Sequence, residues 1–325
     1  MTFWPPAPRK LLLLLSLGLL ILTAVAGCSP PPPAPTPRPA VQPVAPQLVD
    51  EARVLTLGTI DAEEPRKQIE RFQILADYLA ANLKDLGVDQ GRVVIARDFD
   101  EMAQLLKAGK VDLYFDSPFP TLRVQELSGA QPVLLRWKGG AGEYWSTYLV
   151  RRDSGITEVA QFAGKVLAVE EPYSTSGYLL PVGSLAQQGM AVREVSSPVA
   201  PVQPHEVGYY FTGDQQNSVE LVLRGIVAGA GMSNQDYDKL SPELKQDLVT
   251  LGQTVTVPRS LVSARPGLEQ ALLEQVVTLL VLADDTEEGR QLLKKVDNTN
   301  RFEALTPEHT AAVADLRGLM SLVRH

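Results

Sequence analysis

The sequence predicts an α/β protein folded as two lobes, with mainly parallel sheets covered by helices on both faces. Three observations carry this prediction. Short apolar segments of strand length alternate with longer segments of helical period from Arg53 onward, the signature of strand–helix–strand units. The pattern restarts after Arg151, as a second lobe would require. Finally, Glu101–Phe115 (EMAQLLKAGKVDLYF) is echoed by Ser218–Gly231 (SVELVLRGIVAGAG): an amphipathic helix ends at a glycine and feeds a strand at the same offset. Any αβ unit shares that outline, so the echo supports two lobes of similar build without requiring them.

The chain opens with processing signals. Arg9 and Lys10 form a positive region, Leu11 to Leu22 an apolar core too short to span a bilayer comfortably, and Thr23 to Gly27 a small-residue cleavage region ending at Cys28. Val25-Ala26-Gly27-Cys28 resembles a bacterial lipobox, in which the cysteine carries the lipid. Cys28 is the only cysteine of the 325 residues, which argues against a disulfide framework or a zinc site. Several acyl chains on one residue exceed the single-chain limit for reversible binding, so residues 1–28 read as a lipoprotein signal region and the bilayer as a partner. Residues 29–49 read as a linker. Nine of the chain's 25 prolines fall there, and an extended run of ~3.1 Å per residue would hold a domain tens of ångströms from the membrane.

The remainder is long enough for two lobes. The formal net charge is −8, and loss of Arg9 and Lys10 with the leader would bring it near −10, which makes nucleic acid an improbable partner. In the first lobe, expected over 50–150 plus 255–325, Arg53–Ile60 is a strand. A helix over Pro65–Leu86 follows, with Ile69, Phe72, Leu75, Ala76, Leu79 and Leu83 on its buried face. Strands are expected at Arg92–Ala96, Val111–Phe115 and Pro132–Trp137, with helices at Asp100–Ala108 and from Ser117 to Gly129. Tyr144–Arg151 reads as a strand whose end, Tyr148–Arg151, would cross to the second lobe. That lobe, expected over 151–254, carries a strand at Lys165–Glu170, a helix ending at Gly189, a strand over Tyr209–Thr212, a helix over Gln215–Leu223 and a strand over Ile226–Ala230. Thr254–Val257 would be the return crossover. Three helices follow, and no strand is expected after Ala264; the tail would pack back on the first lobe.

Within this frame Ser174, Thr175, Ser176 and Gly177 stand between a strand and a helix. The first turn of a helix leaves unpaired N–H groups carrying a partial positive charge, and hydroxyls add movable donors, so the stretch outlines an anion cradle. One helix end contributes only ~0.3–2 kcal/mol, whereas micromolar binding needs about 8, so other segments must converge there. The competing explanation is a plain N-cap. Thr59 to Asp61 and Asp116 to Phe119, each after a strand, are placed to face the same point. Tyr144, Trp145 and Tyr148 could line a cleft, although aromatics at strand spacing more often belong to a core.

Together, EPYSTSGYLLP (Glu171–Pro181), YWSTYLVRRDSGI (Tyr144–Ile156), FAGK (Phe162–Lys165), FTGDQQNSVELVLRGIVAGAG (Phe211–Gly231) and LLKAGKVDLYF (Leu105–Phe115) resemble the solute-binding proteins of phosphonate, phosphite and phosphate ABC importers. The likeness covers nearly everything after Asp50. It implies the type II periplasmic-binding-protein fold, two lobes joined by two crossovers, with a small anion in the cleft between them. It implies ligand contacts at Ser174, Thr175 and Ser176, with Gly177 and Tyr178 adjoining, Thr59, Asp61, Asp116 and Ser117 opposite, and Asp214 and Gln215 nearby. Two positions depart from the family pattern: Gln215 stands where members carry a histidine, and Ala228 where they carry an aspartate. A close carboxylate at Asp214 would repel a dianion unless protonated or turned away, so a different oxyanion or a ligand with a cationic arm fits as well.

The function so implied is a monomeric, lipid-anchored extracytoplasmic receptor that closes over its ligand and delivers it to a membrane permease, with no cofactor. A sensing module for a membrane kinase would share the fold; a permease and ATPase encoded alongside would favour transport. An enzyme using Ser174, Thr175 or Ser176 as nucleophile would need a base. The three histidines, His205, His309 and His325, have neither triad-like nor metal-ligand spacing. Gly164 and Lys165 precede a strand, whereas a phosphate loop needs them to open a helix.

Overall fold

The computed structural model describes residues 53–61 and 65–323. The leader over 1–28, Cys28 as a lipidation site and the linker over 29–49 lie outside the described residues.

The chain builds two six-stranded sheets. β1 (Arg53–Ile60), α1 (Pro65–Asn82), β2 (Val88–Ala96), α2 (Phe99–Lys107), β3 (Leu113–Asp116), α3 (Pro118–Ser128) and β4 (Gln131–Lys138) make the first pass through sheet one. Phe72, Leu75, Ala76 and Leu79 of α1 are buried beneath it, and each large side chain so removed from water contributes about 1.5–3 kcal/mol. Ile69 is 39% exposed, because burial on this helix begins only at Phe72. Asp98 caps α2 through the Glu101 N–H at 2.8 Å, and Pro118 opens α3, where its missing N–H is no loss.

β5 (Glu143–Tyr144) then leaves the first sheet, and β6 (Ser146–Arg151) is already a strand of the second. The second sheet is completed by β7 (Lys165–Val169), α4 (Leu180–Gln187), β8 (Ala191–Glu194), β9 (Glu206–Phe211), α5 (Gln215–Leu223), β10 (Gly229–Ser233), two short helices α6 (Asn234–Lys239) and α7 (Pro242–Asp247), and β11 (Leu248–Leu251). β12 (Val257–Pro258) returns the chain and pairs antiparallel with β5, Val257 opposite Tyr144. β13 (Leu261–Ala264), α8 (Gln270–Val281), α9 (Glu287–Lys295), β14 (Thr299–Ala304) and α10 (Pro307–Val323) close the fold.

Sheet one runs β14-β4-β13-β3-β1-β2 and sheet two β11-β6-β10-β7-β9-β8. In each, the strands joined by helical crossovers are parallel, β3-β1-β2 and β10-β7-β9-β8. The strands beside the crossings, β13 and β6, run antiparallel to them. The result is a pair of mixed α/β lobes joined by the ribbon β5–β12.

Three expectations are corrected. The first crossing lies at Glu143–Tyr144 and not at Tyr148–Arg151, because Tyr148 and Leu149 are ladder partners of Gly231 and Ala230 in sheet two. A strand does follow Ala264: β14 lies at the sheet edge against β4, and its polar sequence TNRFEA shows little of the apolar alternation of a buried strand. The tail does not confine itself to the first lobe. Leu319 of α10 packs against Gly183 of α4, where an added Cβ would lie 3.0 Å from the Leu319 Cβ, while Arg317 donates to the Gln125 side chain of α3 at 2.9 Å. α10 therefore touches both lobes. Among the described residues no helix is long and apolar enough to cross a membrane.

Candidate ligand-binding cleft

Between the two sheets, beside the β5–β12 ribbon, lies a cleft of about 320 Å³. Its second-lobe wall is the turn after β7. Thr175–Leu179 forms a π-turn, with the Leu179 N–H reaching the Ser174 carbonyl five residues back at 3.1 Å. Pro181 explains how a wide turn is accommodated. It has no N–H to give to either carbonyl behind it, and both find other donors: Ser176 O accepts from the Ser146 hydroxyl at 2.7 Å, and Gly177 O from the Glu170 N–H at 3.1 Å. Gly177 is required by close approach, since a Cβ there would fall 2.4 Å from the Glu170 carboxylate.

The three hydroxyls do different things. Ser174 Oγ accepts from the Gly177 N–H at 2.9 Å and donates to Glu170 Oε2 at 2.6 Å, so it is the cap of the turn. Thr175, almost fully buried, reaches across the cleft: Oγ1 donates to Ser117 Oγ at 2.9 Å and accepts from the Phe119 N–H at 3.0 Å, satisfying an orphan donor of the α3 N-terminus. The Tyr144 phenol lies beside the Thr175 and Ser176 hydroxyls, and burial raises its pKa.

The first-lobe wall is charged. Asp297 accepts from Lys138 Nζ at 2.6 Å and Arg136 Nη2 at 3.1 Å, with Arg71 at 3.5 Å. Burial alone would raise the Asp297 carboxyl, but Lys138 and Arg136 outweigh it and hold it below its ordinary value. Lys138 is pushed down to about 8, chiefly by burial, against the pull of Asp297. Arg136 also donates from Nε to Thr299 Oγ1 and from Nη2 to the Val296 and Asp297 carbonyls. Asp116 is pushed up to about 6 by burial, with the Ser117 N–H, the Tyr114 hydroxyl and Lys138 opposing. Arg259 follows β12, its guanidinium 4.6 Å from the centre of the Tyr144 ring.

Of the residues singled out in the sequence, Thr59, Asp61, Asp116, Ser117, Ser174, Thr175 and Ser176 line this cleft. Gly177 and Tyr178 lie behind it; Tyr178 is buried among Phe119, Tyr209 and Phe211. Asp214 and Gln215 do not line it. Asp214 caps α5, accepting from the Asn217 N–H at 2.7 Å and from its side-chain amide at 2.8 Å, and Gln215 borders a separate surface hollow. Tyr148 belongs to the core, its hydroxyl donating to Pro181 O at 2.8 Å. Arg136, Lys138, Arg259 and Asp297 are functional candidates that sequence reasoning missed. A charged residue within the apolar run PVLLRWK was the one available signal.

Two α/β lobes hinged on a paired ribbon, with a polar cleft between them, define the class of two-lobed solute-binding proteins. Within that class the chain belongs to the family "ABC transporter, phosphonate, periplasmic substrate-binding protein", whose model matches residues 57–310. That family comprises extracytoplasmic substrate-binding proteins and not enzymes. The phosphate-import protein PhnD of Mycolicibacterium smegmatis is 30% identical over 180 residues, 53% of this chain, and the match spans about half (52%) of that protein's length. XAC2383 from Xanthomonas citri, solved bound to ATP, shares 27% identity with a TM-score of 0.78, covering 83% of this chain and 98% of that one. PhnD1 from Prochlorococcus marinus, solved with methylphosphonate, has a TM-score of 0.62 over 83% and 99% of the two chains; at 15% identity it shares the fold.

Proposed function

We propose that this chain is the binding component of an ABC importer, that it closes its two lobes over a small phosphate- or phosphonate-like oxyanion, and that it hands the ligand to a membrane permease. Cys28, as the lipid-bearing residue, would tether it to the outer face of the cell membrane; its replacement by Ala would shift the protein to the soluble fraction of lysed cells.

The observation that carries the ligand class is the pairing of hydroxyl donors on one wall with cations on the other. Six carboxylates also line the cleft, Asp61, Asp116, Glu170, Glu171, Asp236 and Asp297. Three of them are offset: Asp297 is ion-paired, Asp236 is held below its ordinary value by Lys239 and Ser233 despite burial, and burial pushes Asp116 up to about 6. Closure excludes water, which strengthens each remaining donor, and the ligand need only favour the closed arrangement by a few kcal/mol. The relatives named for phosphate import and solved with ATP agree with a phosphorus oxyanion.

A thermal-shift screen of phosphate, phosphite, methylphosphonate and sulfate tests the reading. A ligand at 100 times its dissociation constant adds about 2.7 kcal/mol of stability, so at least one phosphorus oxyanion should raise the unfolding midpoint by several degrees. Silence from all of them, or a response only to cationic or neutral solutes, would overturn the ligand class.

A further inference from the structure

The cleft holds three cations, Arg136, Lys138 and Arg259, and their surroundings separate them. Arg136 is buried, anchored through Nε to Thr299 and through Nη2 to the Val296 carbonyl, and its charge is paired with Asp297. Lys138 is paired to Asp297. Arg259 is the exception. Its Nε donates to Gln235 Oε1 at 2.6 Å and its guanidinium carbon lies 4.6 Å from the centre of the Tyr144 ring, while its two terminal nitrogens have no hydrogen-bond partner among the described residues. A guanidinium pinned through Nε and resting over a ring leaves those two nitrogens as a fork, the geometry that matches two oxygens of a carboxylate or phosphoryl group.

The pin comes from the other lobe. Arg259 follows the returning ribbon strand β12, and its backbone N–H is bonded to Gly142 O at 2.7 Å on the first-lobe side. Gln235 belongs to α6, directly after β10 of the second sheet, and its amide also reaches Lys138 O of β4 at 3.5 Å. The bond between Gln235 and Arg259 therefore joins the second lobe to the returning ribbon.

We infer that Arg259 is the specificity-determining cation of this cleft: a two-pronged contact to the ligand's oxyanion that is set in position by Gln235 as the lobes close. The inference rests on the oxyanion reading above. Its consequence is that a lysine at 259 is a poor substitute. The charge would remain, but neither the fork nor the acceptor-matched Nε would. Loss of Gln235 should act without removing any charge, by leaving the fork unfixed in the closed state.

Calorimetric titration with phosphate and with methylphosphonate, on the wild type and on R259A, R259K and Q235A, tests this, with circular dichroism and ligand-free unfolding midpoints to establish that each variant folds. R259A should weaken the better of the two probes by about 100-fold, R259K by about tenfold and Q235A by about threefold to tenfold with a faster off-rate. If the wild type binds a probe and folded R259A binds it equally well, the assignment of Arg259 fails while the oxyanion reading stands. R259K equal to wild type would reduce Arg259 to a point charge and remove the fork. If the wild type binds neither probe, the same titrations use phosphite or sulfate, whichever raises the unfolding midpoint; silence from all four oxyanions means that the oxyanion reading fails and the role of Arg259 with it. Should R259A not fold, R259K and Q235A, which keep the ring contact or the charge, decide the matter by the same criteria.

Discussion

The two walls of the cleft solve the same problem in opposite ways. The donors of the second-lobe wall are local and neutral: one π-turn, Thr175–Leu179, with Ser174 as its cap, delivers hydroxyls within three consecutive residues, beside the carboxylates Glu170, Glu171 and Asp236. The first-lobe wall is assembled from four distant segments, with Arg136 and Lys138 on β4, Asp116 at the end of β3, Arg259 after the ribbon and Asp297 before β14. Neutral donors can be delivered by one turn because hydroxyls bear little desolvation cost once bonded. Buried charges must be balanced against one another, and the partners come from wherever the fold places them. The difference teaches that the first wall should be the one whose disruption damages the protein, and the second the one whose disruption damages mainly recognition.

The largest expected effect follows from Asp297. It is the shared counter-ion of Arg136 and Lys138, its side chain is only 12% exposed, and it adopts a left-handed backbone at φ 49°. Asp297→Ala leaves a buried guanidinium without its partner, which typically costs about 3–5 kcal/mol. Urea unfolding should show a fall of that order in the midpoint-derived stability, with the slope unchanged. A loss below about 1 kcal/mol would show that the triad is solvated and that the two walls do not differ in this way.

Those same walls differ in how much of each was legible in the sequence. The turn after β7 was visible because capping residues, a glycine and an apolar helix follow each other within a dozen positions, and local chemistry is what a sequence displays. The αβ alternation was legible for the same reason, as was the start of α3 at Ser117 and Pro118, whereas α2 begins at Phe99 with Asp98 as its cap, ahead of the expected Asp100. The first-lobe wall was not, because no spacing links Arg136 to Asp297 across 161 residues; only the sheet order β14-β4 brings them together. β14 itself was hidden by its polarity, and the crossing lies earlier than expected because Tyr144–Arg151 reads as one unbroken strand although only Ser146–Arg151 belongs to sheet two. Asp214 misled for a different reason. A carboxylate at a helix start is as often a cap as a ligand contact, and here its two bonds to Asn217 make it a cap.

A smaller effect concerns pH. Asp116 titrates near 6 in the folded protein against 3.8 for the free group, raised first by burial. A carboxyl with a raised folded pKa binds its proton more tightly in the native state. The stability it contributes is therefore fully present below pH 4 and is lost as pH rises through 6. The full shift would correspond to about 3 kcal/mol, and access of water to the cleft should reduce this to about 1–2 kcal/mol. Asp116→Asn stays neutral throughout. The stability of the wild type relative to this variant should thus decline by that amount between pH 4 and pH 7 in parallel denaturation series. A constant difference would mean that Asp116 is well hydrated, and the first-lobe wall would then carry one more full negative charge against an anionic ligand.

The smallest effect tests where the walls meet. Among the described residues Thr175 is the second-lobe hydroxyl bonded to α3 and Ser117 of the first lobe, accepting from the Phe119 N–H and donating to Ser117 Oγ. Thr175→Val preserves the shape of the side chain and removes these two bonds and the polar contact with the Tyr144 phenol. The Phe119 N–H lies at the mouth of a helix, where water or ligand can replace the lost acceptor in the open state, so global stability should change by less than about 1 kcal/mol. Closure has no such substitute, since the bonds form only when the lobes meet. Affinity for the best oxyanion should fall by about fivefold to tenfold, with the loss in the off-rate. Equal affinity with unchanged kinetics would show that the hydroxyl turn contributes nothing to holding the lobes together. The contrast between a recognising wall and a supporting wall would then have to rest on Ser176 and Tyr144 alone.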